Sequence, residues 1–405
     1  MWGNKSSSAL PLSGVKVLEF GHVAAGPFTG DLLAKLGADV VKIEPPAGDQ
    51  MRGWPPRAND GEGYSLNFAS VNIGKRSLFA DLKDHAEWAH VEDLAEGADV
   101  IVSNYRPDVL AKLGFGFEAL RERRKRSPFV FAEISGFGST SPFAHVGAFD
   151  VVIQGMTGLM SVTGDKDGPP AKCGVPVADF VTGLFTAMSI IAWLPVAVRE
   201  SRAVHLEASM FDCVMAISAL QTSEYWGSGR DPIALGTAHP RNAPYQAFQA
   251  SDGWFTVAAG NDKLWRSMRE AIGMEALLDP RFDTQRGRVE NQVELESLLQ
   301  ARFVGEDRDY WLDLLRDAGV PCGPVSPFSE ALTSEHVRAT GLLDVVDVDD
   351  FGPMPFVRYP VKVDEKHLDL PGRPPSNPKE EINANQPART SRRPVRRTDR
   401  VGHTE

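Results

Sequence analysis

The stretch LPLSGVKVLEFGHVAAGPFTGDLLAKLGADVVKIE, residues 10–44, decides the fold. Within it Val15–Phe20 is an apolar run of strand character, Pro27–Leu36 has helical spacing, and Asp39–Ile43 reads as a second strand. That order is a βαβ unit. The alternation continues outward with a helical stretch at Ala86–Ala95 and strands at Val100–Ser103 and Phe129–Ile134. Strands alternating with helices imply a mostly parallel sheet covered on both faces, hence an α/β protein.

From Asp179 a long apolar helix begins, and no charged residue occurs between Phe180 and Val198. The segment is nearly long enough to span a bilayer, but its Thr, Ser, Gly and Pro and the lack of a second such segment favour a helix buried inside a protein outside any membrane. Ala203–Ala208 then reads as a strand leading into a helix with Met210, Val214 and Ile217 on one face. Residues 226–244, rich in Gly, Pro and Asn, form a linker between a large domain (1–225) and a smaller α+β domain (245–330). The small domain opens with AFQASDGWFTVAAG, a hairpin turning at Asp252-Gly253. Helices follow at Asp262–Ile272, Val289–Phe303 and Arg308–Ala318. Residues 372–405 are Pro-rich and polar, with six Arg between 389 and 400, and read as a disordered, solvated basic tail.

Composition narrows the function. The 405 residues carry a net charge of −11, whose mean field repels phosphates and argues against a nucleic-acid or membrane-surface binder. An anionic ligand would need a local basic pocket. Cys173, Cys213 and Cys322 match neither a zinc spacing nor a disulfide framework, so no metal is expected and a reducing, cytoplasmic setting fits. Met1–Leu12 lacks the apolar run of a secretory signal. The turn GHVAAGP gives G-x4-G, not the G-x-G-x-x-G of a dinucleotide site, although Glu44 ends the second strand where a ribose-binding acid would sit. The turn nevertheless places His22, Val23 and Ala24 at the C-terminal edge of the sheet, where open α/β sheets bind ligands.

The opening stretch resembles the class III CoA-transferases (CaiB/BaiF type). This is the family of formyl-CoA transferase and the carnitine CoA-transferases, with the α-methylacyl-CoA racemases as relatives. NIGKRSLFADLKD, ADVIVSNYRPDVLAKLGFG, ISGFGSTSPF, FDVVIQGMTGLMSVTG, KCGVPVADFVTG, APYQAFQASDGWFTVAAGNDKLW and AGVPCGPV continue the resemblance in order, over about Leu10–Pro360. It implies a Rossmann-like large domain completed by residues 331–371, a small central domain, and a homodimer of interlocked chains. It also implies an enzyme that exchanges CoA between carboxylic acids, with acyl-CoA as substrate and no permanently bound cofactor.

The resemblance maps the nucleophile onto Asp179. It places His22, Val23 and Ala24 beside the thioester, Asn104, Tyr105 and Arg106 in a CoA-contacting loop, and Lys75, Arg76 and Lys112 near the nucleotide. A carboxylate attacking a thioester gives an acyl–aspartyl anhydride and then an aspartyl-CoA thioester. A helix start favours an ionised Asp; without the resemblance Asp179 reads as an ordinary N-cap, and the surrounding match reverses that balance. The oxyanion needs preorganised donors, for which the turn at Ala24 and the loop Gly236–Asn242, including Gly236 and His239, are candidates; that loop also reads as linker. The CoA phosphates call for cations, and Arg52 joins Arg106, Lys75, Arg76 and Lys112 as a candidate. Pro45 departs from relatives that place an Arg against the adenine.

Racemases of this fold use a His in a G-H-D segment, where this chain has Ala148-Phe149-Asp150. Phe149 cannot accept a proton, so racemisation of a 2-methylacyl-CoA is the weaker alternative. Asp150 and Gln154 are expected to support the site, or else to cap and satisfy the core. ISGFG lacks the glycine two residues before Ser135 that a nucleophile elbow requires, which disfavours a thioesterase. No motif specifies the acid.

Overall fold

A computed structural model describes residues 10–376 except Pro107 and Arg126. Its main sheet has six parallel strands: β1 (Lys16–Phe20), β2 (Asp39–Glu44), β3 (Arg76–Phe79), β4 (Val100–Ser103), β5 (Phe129–Ser135) and β6 (Ala203–Ser209). Their order is β3-β2-β1-β4-β5-β6, so the winding reverses between β1 and β4. Strand alternation sorts the core into two faces. Val17, Val40, Val100, Val102, Val130 and Ala132 pack under the helices Ala25–Lys35 and Val177–Glu200. Leu18, Val41, Ile101, Phe129 and Phe131 pack on the other side under His85–Gly97 and Phe117–Arg123. The expected α/β architecture is present, with β3 as a strand the periodicity did not reveal.

Charged side chains are buried inside this sheet. Glu19 on β1 and Lys42 and Glu44 on β2 are fully buried, as is nearly all of Asp49 and Lys75. The Lys42 ammonium lies 3.0 Å from Glu19 and 2.9 Å from Asp49, and that of Lys75 lies 2.7 Å from the other Glu19 oxygen. Glu44 receives both Nε and Nη2 of Arg52 at 2.7 Å, and the guanidinium sits 3.8 Å over the Phe68 ring. Burying such ions is costly unless each is paired, and here each is.

The long helix Val177–Glu200 differs from its expected burial. Thr182, Gly183, Thr186, Ala187 and Ile190 pack inward; a Cβ at Gly183 would come within 2.9 Å of the Ala25 carbonyl, so the small residue sets the helix approach. The opposite face leaves Leu184, Met188, Ile191 and Trp193 exposed on the single chain. By length and composition this helix could cross a membrane.

A separate core lies among residues 243–322, where β7 (Tyr245–Gln249), β8 (Trp254–Ala258) and β9 (Cys322–Pro324) form an antiparallel sheet against Trp265, Phe303 and Trp311. The helix expected at Val289–Phe303 is two, Gln285–Glu290 and Gln292–Phe303, broken at Asn291, whose side chain turns back to donate to the Gly287 carbonyl. The chain then returns to the large domain. It adds no strand to the main sheet but forms the hairpin β10 (Leu343–Val348) and β11 (Gly352–Val357), which packs on Met51, Tyr64 and Phe68. Residues 374–376 are buried, and the Pro375 carbonyl accepts from the Tyr64 hydroxyl at 2.6 Å. The chain beyond the expected boundary at 372 is therefore structured at least to Ser376. The Arg-rich part of the expected tail lies outside the described residues.

Removing Lys42 leaves buried Asp49 without its cation and Glu19 with Lys75 alone, so Lys42→Met should cost about 3–5 kcal/mol in urea unfolding followed by tryptophan fluorescence. A loss below about 1 kcal/mol would show that the network is not held together by charge.

Candidate active site

The reversal between β1 and β4 opens a crevice at the C-terminal strand ends, because the chain leaves β1 toward one face of the sheet and β4 toward the other. A cavity of about 240 Å³ occupies it, lined by His22–Ala25, Asn104–Arg106, a wall of Ala144 and Val146–Phe149, and Asp179. The two strand ends are clamped together: the His22 amide donates to Asn104 Oδ1 and the Asn104 Nδ2 to the His22 carbonyl, both at 2.8 Å. The His22 ring stacks on Tyr105 with centroids 4.7 Å apart. Burial, then the Lys42 charge, holds the imidazole below its ordinary pKa, so His22 is a neutral group at pH 7.

The buried network shapes this turn. Lys42 Nζ donates to the Gly21 carbonyl at 2.5 Å, and Asp49 Oδ1 accepts from the Val23 amide at 3.3 Å and the Met51 amide at 2.9 Å. Val23 is thereby held at φ 61°, a left-handed conformation that a β-branched residue avoids at a cost of about 1–3 kcal/mol. Two glycines of the helix Ala25–Lys35 serve this packing. A Cβ at Gly30 would lie 2.0 Å from the Glu19 carboxylate, and one at Gly26 would lie 3.0 Å from Asn104. No side chain caps the helix Ala25–Lys35, and among the described residues nothing accepts from the amides of Ala24, Ala25 or Gly26.

Asp179 is the third residue of the long helix, and the N-cap position belongs to Pro176. The capping reading of Asp179 therefore does not hold: Asp150 Oδ1 accepts from the Ala178 amide at 2.9 Å in its place. The expected ionising effect of the helix start is also outweighed. Burial, then the Asp150 charge, pushes the Asp179 carboxyl up to about 7. A helix terminus supplies about 0.3–1 kcal/mol, less than one pKa unit, against several units from burial. Among the described residues no hydrogen bond reaches the Asp179 carboxylate.

Several expected site residues stand elsewhere. Lys75 is buried, and its ammonium donates to Glu19, the Pro27 carbonyl and Asn72, leaving nothing for a phosphate. Arg76 pairs with Asp39 at 2.7 Å at the opposite, N-terminal end of the strands. Arg52 is committed to Glu44 and to the Ser376 carbonyl at 3.0 Å. Lys112 lies near the β4 exit in an exposed pair with Asp108, a contact weak enough to yield to a ligand. Gln154 is fully buried: its amide donates to Asp150 Oδ2 at 2.7 Å and accepts from the Cys173 amide at 2.9 Å, so it braces Asp150 rather than facing the cavity. The Gly236 amide donates to the Gly164 carbonyl at 2.8 Å. The His239 Nδ1 accepts from the Arg241 amide at 3.1 Å, and neither residue lines the Asp179 cavity.

Gln50 and Gly147 line the cavity without having been named from the sequence, and so do Met210, read there only as a helix-face residue, and Ser135, read only as a failed nucleophile elbow. The supporting network had a readable signal: Glu19, Lys42 and Glu44 stand inside apolar strands, where a charge must be paired. Among the described residues no group of three or more His, Cys, Asp or Glu could hold a metal.

The model of CoA-transferase family III matches residues 12–379. The chain is 37% identical over 364 residues to a succinate–glutarate CoA-transferase of Agrobacterium fabrum, covering 88% of this chain and 90% of that protein. It is 36% identical over 336 residues to an acetyl-CoA:oxalate CoA-transferase of Acetobacter aceti, covering 82% and 85%. The crystal structure of a CaiB/BaiF family protein from Brucella suis superposes with a TM-score of 0.83 at 35% identity, covering 93% of this chain and 99% of that one.

A carboxyl whose pKa is raised by folding stabilises the protein fully below its unfolded value, and this contribution is lost as pH rises toward the folded value near 7. The melting-temperature advantage of Asp179→Asn over wild type should therefore grow between pH 4 and 7 and level off above. The full change is at most about 4 kcal/mol. A pH-independent difference would remove Asp179 as the titrating group.

Proposed function

The chain belongs to CoA-transferase family III, and on that footing we propose that it moves CoA between two carboxylic acids with Asp179 as the covalent nucleophile. The observation carrying this reading is the placement of Asp179: a carboxylate in the switch-point cavity that it shares with the start of the helix Ala25–Lys35, with neither the carboxylate nor the amides of Ala24 and Ala25 partnered among the described residues.

In this mechanism the ionised Asp179 attacks the thioester carbonyl of the donor. The oxyanion lies against the amides of Ala24 and Ala25, which the strained Val23 turn and the helix start hold in place. Collapse expels the CoA thiolate and leaves an acyl–aspartyl anhydride. The thiolate then attacks the aspartyl carbonyl, releasing the donor acid and forming an aspartyl-CoA thioester. The acceptor carboxylate reverses these two steps, so that CoA leaves on the new acid and Asp179 is regenerated. Scarce hydrogen bonding leaves the Asp179 carboxylate poorly solvated, which suits a nucleophile. Neutral His22, stacked on Tyr105, gives the cavity a wall without adding charge.

The α-proton chemistry of a racemase finds less support, because Phe149 lines the cavity where that reading needs a histidine. Succinate, glutarate and oxalate, named for the two relatives, are all dicarboxylates, and we assign this chain acids of that class. We also assign it a homodimer, since Leu184, Met188, Trp193, Leu220 and Trp226 are large apolar side chains left exposed on the single chain. A cytoplasmic location fits its three free cysteines.

Asp179→Ala should abolish transfer while CoA affinity stays within about tenfold, because the nucleophile acts in chemistry. Hydroxylamine added during turnover should label Asp179, detected by peptide mass spectrometry; a labelled residue elsewhere would reassign the nucleophile. For wild type, kcat/KM should climb with pH and reach a plateau above about 7, the ionisation of the free enzyme's carboxylate. A profile flat from pH 5 to 8 contradicts that assignment.

A further inference from the structure

Resting on the transferase reading, we propose that Arg106 selects the acceptor by binding the distal carboxylate of a short dicarboxylic acid, and that it is not a ligand of the CoA phosphates. Arg106 is the one Arg or Lys lining the Asp179 cavity, and its exposed side chain has no ion-pair or hydrogen-bond acceptor among the described residues. The other arginines at this end of the chain are committed, as Arg52 is to Glu44 and Arg76 to Asp39.

The cavity is polar at two places and apolar between them. Ala178, adjacent to Asp179, packs in a cluster with Ile134 and Met210 and against Ala148. The wall continues to Gly147, where a built Cβ would meet Arg106 Nη2 at 3.1 Å, so the guanidinium lies against this glycine. A dicarboxylic acid matches that sequence of environments. One carboxylate reaches the thioester carbonyl of Asp179, the methylenes lie along Ile134, Met210 and Ala148, and the far carboxylate meets the guanidinium.

Electrostatics require such a cation. The acceptor enters as an anion beside Asp150, which already raises the Asp179 pKa, and His22 is neutral. Among the described residues Arg106 supplies the only compensating charge on the wall, and its planar fork suits a carboxylate. An acid with a single carboxylate would use only the reacting end and leave Arg106 solvated, so it gains nothing from the residue.

The test compares wild type, Arg106→Gln and Arg106→Lys with glutarate and with pentanoate, which has the same carbon count but one carboxylate. Calorimetry measures free CoA and glutarate. Arg106→Gln should raise the glutarate KM at least about 30-fold while changing the pentanoate KM and the free-CoA Kd less than about threefold. Arg106→Lys should restore part of the glutarate affinity. A CoA Kd that rises in step with the glutarate KM would make Arg106 a phosphate ligand and overturn the inference, as would equal losses for the two acids. If wild type transfers CoA to no acid, the transferase reading itself fails. In that case glutarate binding that persists unchanged in Arg106→Gln overturns the inference independently, and binding lost in that variant supports it.

Discussion

The rest of the structure depends on the Glu19 carboxylate, buried at the end of β1 and held by Lys42 from β2 and Lys75 from the segment entering β3. One acid thereby ties three neighbouring strands together. Through Lys42 the same network reaches the Gly21 carbonyl and Asp49, and through Asp49 the Val23 amide. A turn held only by its own sequence would not keep a valine in the left-handed region. Buried ion pairs contribute little net stability compared with apolar packing, but breaking one is costly, so they enforce a single geometry. Here the geometry enforced is that of the turn beside the candidate nucleophile.

The site combines two opposed demands. An attacking carboxylate must be ionised, yet it must be poorly solvated to react. Burial and Asp150 push Asp179 up to about 7, which keeps the anion accessible near neutral pH while stripping it of hydrogen-bond donors. Asp150 is itself anchored by the Ala178 amide and by Gln154, so the like charge that raises Asp179 cannot swing away. Stability is given up at one carboxylate, and the neighbouring residues that enforce this are rigid.

The long helix shows the same division of labour along its sides. Thr182, Gly183 and Thr186 allow close approach to the helix Ala25–Lys35, with the Thr29 hydroxyl donating to the Gly183 carbonyl at 3.2 Å. This contact positions the first turn, and with it Asp179, against the amides at the start of the other helix. The opposite side, with Met188 and Trp193, is apolar and exposed on the single chain, so one segment both carries the candidate nucleophile and presents a surface for association.

By itself the sequence determined the layered α/β architecture, because strand and helix periods alternate from Val15 to Ala208 and each period has only one way to bury its apolar residues. Through its resemblance to the class III CoA-transferases it also singled out Asp179, His22, Asn104 and Arg106, which the structure gathers around one cavity. Only the tertiary structure decided which cations are free. Lys75 and Arg106 look alike as basic residues in a matching segment, but Lys75 is drawn into the core by Glu19 whereas Arg106 pairs with no acid among the described residues. Nor could sequence show that Asp179 would be shifted upward, since helix position acts locally and is weak, while desolvation and the Asp150 charge arise from residues that meet only when the chain is folded.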